Sequence, residues 1–251
     1  MKKTAILFPF IILSIFLAFQ DCHKTEEIHN TSLQNKATSN AITIMPLGDS
    51  RVEGAASNSV SYRYDLWKKL ISNQWNIDYV GTQKDKTSYP LLLGKHFDSD
   101  HEGIGGFESK DVLENIPDIL EDLGTPDVVL LGIGGNDLIR EIPLEQVIEN
   151  INQTIDILQN SNANITIFLE QIAPGKTNIM TPASTIVYNS FIENLATIAM
   201  EQTNDSSKVI LVNMSTNWTD SYMADNLHYN ELGAKEIADR YFEAIVENLE
   251  K

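Results

Sequence analysis

From Ala41 onward the chain alternates short apolar runs with longer amphipathic stretches, and this alternation constrains the fold more than any other feature. Val128-Val129-Leu130-Leu131 is the sharpest case. It is apolar at every position, so both faces must be covered, as for a central strand of a parallel sheet. Further strand-like runs lie at 42–47, 77–80, 165–172 and 209–212. Between them, 62–71, 143–160, 183–202 and 231–249 read as helices. The second of these carries Leu144, Val147, Ile148, Ile151, Ile155 and Leu158 at helical spacing. Such alternation predicts one α/β domain over 41–251, with a parallel sheet between two helical layers. In folds of this kind chemistry gathers at the carboxyl ends of the strands.

The start of the chain has a different character. Lys2 and Lys3 precede an apolar run from Ala5 to Phe19. A basic segment before a short apolar one reads as a secretory signal over 1–22. A membrane span needs about 20 apolar residues, and this run is shorter; an uncleaved anchor is the alternative. Cys22 is the single cysteine, so no intrachain disulfide is possible. Its place just past the apolar run resembles the lipidated cysteine of a bacterial lipoprotein, although Phe19, Gln20 and Asp21 are not the small residues usual before it. His23-Lys24-Thr25-Glu26-Glu27 resembles the acidic surface-export signal of Bacteroidota lipoproteins. The polar stretch 23–40 has linker composition. The expectation is an extracytoplasmic protein, anchored at the outer membrane or cell surface through Cys22, or else secreted or periplasmic. The net charge of −17, without a basic cluster, disfavours nucleic-acid partners.

The candidate chemistry lies at strand ends. Met45-Pro46-Leu47-Gly48-Asp49-Ser50 closes the first strand, and Asp225-Asn226-Leu227-His228 lies far down the chain. A serine hydroxyl is a poor nucleophile unless an imidazole takes its proton and a carboxylate holds the imidazole's tautomer. Ser50, His228 and Asp225 supply these three groups in the order Ser…Asp…His. Gly103-Ile104-Gly105-Gly106 and Gly132-Ile133-Gly134-Gly135-Asn136-Asp137 lie between them. They can offer oxyanion donors: the Gly106 N–H and the Asn136 amide, beside the Ser50 N–H. Each segment alone has an ordinary explanation, Ser50 as a helix cap and the glycines as turns. All four in this order, on this strand pattern, point to a serine esterase. Val52 stands where a second glycine would complete Gly-x-Ser-x-Gly, so the nucleophile-elbow motif is absent.

The four segments resemble the sequence blocks of the SGNH hydrolases, the GDSL-like esterase and lipase superfamily. The resemblance implies a flavodoxin-like three-layer α/β/α sandwich with a parallel five-stranded sheet, and ester hydrolysis through an acyl-enzyme without cofactor or catalytic metal. A narrower resemblance, to carbohydrate esterase family 3, rests on 44–50, Tyr62-Arg63-Tyr64-Asp65-Leu66-Trp67, Asp78-Tyr79-Val80-Gly81 and 100–107. It implies deacetylation of an acetylated polysaccharide or oligosaccharide such as xylan. Four positions depart from that group. Arg51 follows Ser50 where Ile is usual, Tyr229 follows His228 where Pro is usual, and Ile104 and Phe107 replace His and Trp.

Two other clusters need a reading. Asp98, Asp100, His101 and Glu102 are expected to shape the loop leading to Gly106, with a structural calcium left open. Trp67, Trp75 and Trp218 are candidates for packing or sugar stacking, with Trp218 expected nearest the site. Two functions compete with the O-acetyl esterase: a lipase, lysophospholipase or thioesterase of the same superfamily, and a non-catalytic carbohydrate-binding lipoprotein.

Overall fold

The computed structural model describes residues 41–54 and 60–251. The expected signal segment, Cys22 and the 23–40 linker lie outside the described residues.

The central sheet holds β1 (Ile42–Gly48), β2 (Ile77–Tyr79), β3 (Gln83–Lys84), β4 (Asp100–Gly103), β5 (Val128–Gly132), β6 (Thr166–Gln171) and β7 (Lys208–Asn213). β1 pairs with β5 along one edge, and β6 and β7 follow outward, all parallel. The other edge of β1 is shared. β2 pairs with its first half and β4 with its end, both parallel. β3 adds an antiparallel strand outside β4. The five parallel lanes are those expected, but one is divided between two strands and a seventh strand extends the sheet. The polar β4, Asp100-His101-Glu102-Gly103, was expected as loop. Its residues stand as a strand because β1 and β3 supply the hydrogen bonds that its composition does not advertise.

Seven α-helices and a 3-10 turn (Asp220–Tyr222) complete the described domain: α1 (Ser50–Glu53), α2 (Arg63–Ser72), α3 (Ser109–Leu123), α4 (Gly135–Ile139), α5 (Leu144–Ser161), α6 (Pro182–Gln202) and α7 (Glu231–Asn248). The sequence reading lacked α3, which carries Pro117 in its interior. A capping box between Glu108 and Asp111 starts that helix, and Val112, Ile116 and Ile119 bury its inner face.

The doubly apolar strands resolve into two cores. Ile44, Val128, Leu130 and Phe168 pack beneath α2 and α7. Met45, Leu47, Val129, Leu131, Ile167 and Leu169 pack beneath α3, α5 and α6. Alternate residues of each strand thus feed opposite layers, which gives the expected α/β/α sandwich. Among the described residues no helix is long and apolar enough to cross a membrane.

At their carboxyl ends β1, β4 and β5 finish on Gly48, Gly103 and Gly132, held side by side in register. A Cβ on Gly48 would lie 2.0 Å from the Gly132 carbonyl oxygen. This close approach draws together the turns that follow the strands. The frame's stability rests on burial: Phe168→Ala is expected to cost about 3–5 kcal/mol in urea unfolding. The thermal midpoint should then fall by about 2–4 °C per kcal/mol.

Candidate active site

Ser50 is the first residue of α1, a helix of four residues. Asp49 caps it, accepting the Arg51 N–H at 2.9 Å, and Gly54 closes it in the left-handed conformation. Arg63, fully buried, secures the far end. Its Nε donates to the Val52 carbonyl (2.9 Å), and one terminal nitrogen donates to the Glu53 carbonyl (3.1 Å) and pairs with Asp85 (2.6 Å).

Asp225 and His228 lie on a tight loop before α7. The Ala224 N–H donates to the His228 carbonyl at 2.8 Å and closes the loop on itself. Asp225 Oδ1 accepts the backbone N–H groups of Leu227 and His228, both at 2.7 Å. Its Oδ2 lies 2.8 Å from His228 Nδ1, and His228 Nε2 lies 3.0 Å from Ser50 Oγ. The three expected residues therefore form one continuous hydrogen-bonded line. Burial would raise the Asp225 carboxyl, but the two backbone donors and the imidazole outweigh it and lower it to about 2. A carboxylate so held stays ionised and keeps a proton on Nδ1, leaving Nε2 to accept from serine.

The expected oxyanion donors face the same place. Ser50, Gly106, Asn136 and His228 line one cleft of about 1020 Å³. Among the described residues, no backbone acceptor takes the Ser50 or Gly106 N–H. Gly106 has φ of +84°, a conformation that costs other residues strain. Asn136 Nδ2 donates one hydrogen to the Phe107 carbonyl at 2.8 Å, which orients the amide and leaves its second hydrogen for a ligand. Asp137, buried beside it, accepts the Ser109 N–H (2.9 Å) and hydroxyl (2.6 Å), and Asn150 supports that hydroxyl at 3.0 Å. Arg140 donates to the Gly106 carbonyl (2.9 Å) and pairs with Glu108 (2.6 Å). Sequence reasoning did not find these supports, because they join residues 28 to 41 positions apart in chain segments that the fold alone brings together.

The two departures beside Ser50 and His228 meet in space. Arg51 Nε donates to the Leu227 carbonyl at 2.9 Å, and its Nη1 donates to the Ala173 carbonyl at 2.6 Å. Its guanidinium sits over the Tyr229 ring, 5.1 Å from the centroid. Below, Glu170 Oε2 accepts the Tyr241 hydroxyl at 3.0 Å, and Oε1 lies 3.4 Å from the Tyr229 hydroxyl. Burial pushes the Glu170 carboxyl up to about 7, against the pull of the Arg51 charge. Burial likewise raises Asp49, again opposed by Arg51.

The other expectations fare differently. Trp67 and Trp75 are core residues. Trp218 packs on Tyr222 and Tyr229 and does not line the cleft, so its expected place at the site is corrected. The acid-rich segment is occupied by protein partners. Asp98 accepts the Tyr79 N–H (2.6 Å), Asp100 pairs with Lys84 (3.0 Å), Glu102 accepts the Thr82 N–H (2.7 Å), and His101 Nδ1 accepts the Gly103 N–H (3.0 Å). Among the described residues no three His, Cys, Asp or Glu side chains converge as metal ligands.

Known proteins resemble this arrangement. The sequence profile of the GDSL-like Lipase/Acylhydrolase family matches residues 47–236. A family 3 carbohydrate esterase from Clostridium thermocellum superposes with a TM-score of 0.68 at 31% identity, over 83% of this chain and 96% of that one. One from Talaromyces cellulolyticus gives a TM-score of 0.70 at 23% identity, over 82% and 97%. An arylesterase from Vibrio mimicus is 31% identical over 72 residues, 29% of this chain; the chain thus matches only 36% of the length of that relative.

The ionisation of Glu170 gives a test. Between its ordinary 4.5 and about 7, the folded state holds a proton that the unfolded chain has released. This group's contribution to stability therefore falls as pH rises through that window. Urea unfolding at pH 5 and pH 8 is expected to show wild type losing stability relative to Glu170→Gln across the interval.

Proposed function

The chain belongs to the GDSL-like lipase/acylhydrolase family, a family of carboxylic ester hydrolases, and on that premise we propose that it cleaves esters through a Ser50 acyl-enzyme. The observation that carries this reading is the unbroken line from Asp225 through His228 to Ser50 Oγ, with links of 2.8 and 3.0 Å. His228 Nε2 takes the Ser50 proton as Oγ bonds to the ester carbonyl carbon. Asp225 stabilises the imidazolium that results. The carbonyl oxygen becomes an oxyanion held by the Ser50 and Gly106 N–H groups and the Asn136 amide. The C–O bond to the alcohol breaks, and His228 returns the proton to the departing oxygen. Water, deprotonated by His228, then attacks the acyl carbon; the bond to Ser50 Oγ breaks, the acid leaves, and His228 returns the proton to Oγ.

For the substrate, the reading is an O-acetyl group on a carbohydrate, supported by the structural similarity to a family 3 carbohydrate esterase at 31% identity. The proposed setting is extracytoplasmic, from the Ala5–Phe19 run and Cys22. One observation favours a second reading, an ester with a longer apolar chain. Ile139, Ile142, Ile179, Met180, Ile186 and Val187 line the cleft beyond Ser50. Ile186 is 67% exposed and Ile139 53%, apolar surface that a chain could cover. No tryptophan stands among the described cleft residues as a sugar platform.

Acetate release from acetylated xylan, beside turnover of an aryl acetate and an aryl ester of a long-chain acid, separates the two. Release of acetate from xylan that is lost in Ser50→Ala is expected; turnover that instead rises with acyl length would replace it by the second reading. Asn136→Ala is expected to lower kcat by about 10²–10³, and equal rates in both enzymes would remove it from the oxyanion hole.

A further inference from the structure

Arg51 does more than fill the space behind the nucleophile. The Leu227–His228 peptide is one rigid plane, and both of its polar ends are held. Its N–H is bound by Asp225 Oδ1 at 2.7 Å, and its C=O by Arg51 Nε at 2.9 Å. That plane carries the Cα from which the His228 ring projects, so pinning it sets where Nε2 points. Arg51 also lies against the Tyr229 ring, on the other side of His228 in the chain. A third contact, from Nη1 to the Ala173 carbonyl at 2.6 Å, ties the same guanidinium to the turn after β6. Arg51 is bonded directly to Ser50. The residue next to the nucleophile therefore grips the residues flanking the base, 176 and 178 positions away in the chain.

We propose that Arg51 is a positioning residue: by holding the Leu227 carbonyl and the Tyr229 ring on either side of His228, it fixes the imidazole against Ser50 Oγ. The inference rests on the reading of Ser50 and His228 as the reacting pair. Arginine suits the task because its planar fork can serve two carbonyls in fixed directions while its face rests on an aromatic ring. A lysine, with one compact head, cannot do both. Positions 51 and 229 are two of the four at which this chain departs from the group it otherwise resembles, and these two touch. Their contact makes the two departures one feature.

The test uses Arg51→Met and Arg51→Lys with an aryl acetate, with Ser50→Ala alongside. Thermal unfolding reports the folded fraction, and the low-field proton resonance of His228 Nδ1 reports the Asp225–His228 bond. Displacing a reacting group by about 1 Å costs about 10² in rate, so kcat of the folded Arg51→Met enzyme should fall about a hundredfold. KM should stay within about twofold, the mark of a contact that acts on the chemical step. Arg51→Lys should recover only part of the loss, and the Nδ1 resonance should shift or broaden in both variants. In Arg51→Ala, millimolar guanidinium should restore part of kcat. A kcat for Arg51→Met within about twofold of wild type, or an Nδ1 resonance unchanged in every variant, overturns the proposal. The resonance is read without substrate. Full turnover in Ser50→Ala would therefore overturn the reacting pair, while the resonance still judges the clamp by itself.

Discussion

Everything at the candidate site hangs on a helix that cannot hold itself. Four residues form α1, far fewer than the roughly 12 to 15 needed for even marginal helicity in water. Its geometry is imposed from outside. Asp49 satisfies a donor at its start, and Arg63 takes the carbonyls of Val52 and Glu53 at its end. The price is a buried guanidinium, tolerable because Arg63 finds acceptors for all three of its nitrogens, including Ser99 and Asp85. With α1 fixed, Ser50 Oγ has a defined position above the carboxyl end of β1, and every other group can be placed relative to it.

The remaining groups reach that position by two independent routes. On one side, α4 and the segment 106–109 are knitted together: Asn136 to Phe107, Asp137 to Ser109, Arg140 to Gly106. The glycine and asparagine donors are thereby held in a common frame, a requirement for stabilising charge without reorganisation. On the other side, the Asp225–His228 loop is closed by its own hydrogen bonds and leads into α7, which Asn230 caps. The loop's internal bonds fix its shape but not its distance from Ser50. Between the loop and the Ser50 turn the Arg51 side chain crosses to the Leu227 carbonyl and the Tyr229 ring, beside the His228–Ser50 contact itself.

Much of this was legible in the sequence, and the reasons are local. Val128 to Leu131 announced a doubly covered strand, and 143–160 announced a helix by periodicity; both stand within a residue or so of the expected bounds. The four motif segments were legible because the proposed chemistry needs particular residue types in turns: three follow β1, β4 and β5, and the fourth leads into α7. The hidden parts depend on long-range partners. β4 is polar and reads as loop until β1 and β3 are placed on either side. The α3 helix contains a proline that argues locally against it, and its buried face outweighs that argument. The apolar cleft is assembled from side chains around positions 139–144, 172–190 and 227, none of which forms a motif. Trp218 was expected at the site from proximity in sequence to Asp225, but its ring turns toward Tyr222 and Tyr229 instead.

Three ionisable groups cluster at the site: Asp49 and Glu170, both buried, and Arg51, partly buried at the cleft wall, and withdrawing them from water is costly. An apolar residue at position 51 would relieve Arg51 of desolvation, and buried ion pairs are often no more stable than hydrophobic replacements. Stability alone therefore gives little reason to keep this arrangement. The geometry supplies one. A guanidinium placed there reaches the Ala173 and Leu227 carbonyls and the Tyr229 ring at once, and no hydrocarbon can direct two backbone carbonyls. Glu170 adds no dependable counter-charge, since burial raises its carboxyl to about 7; its contacts are the Tyr229 and Tyr241 hydroxyls. On the proposed role of Arg51, the cost of these groups goes with aligning one histidine. Their desolvation is offset by the sheet and helices that the two apolar cores already hold together.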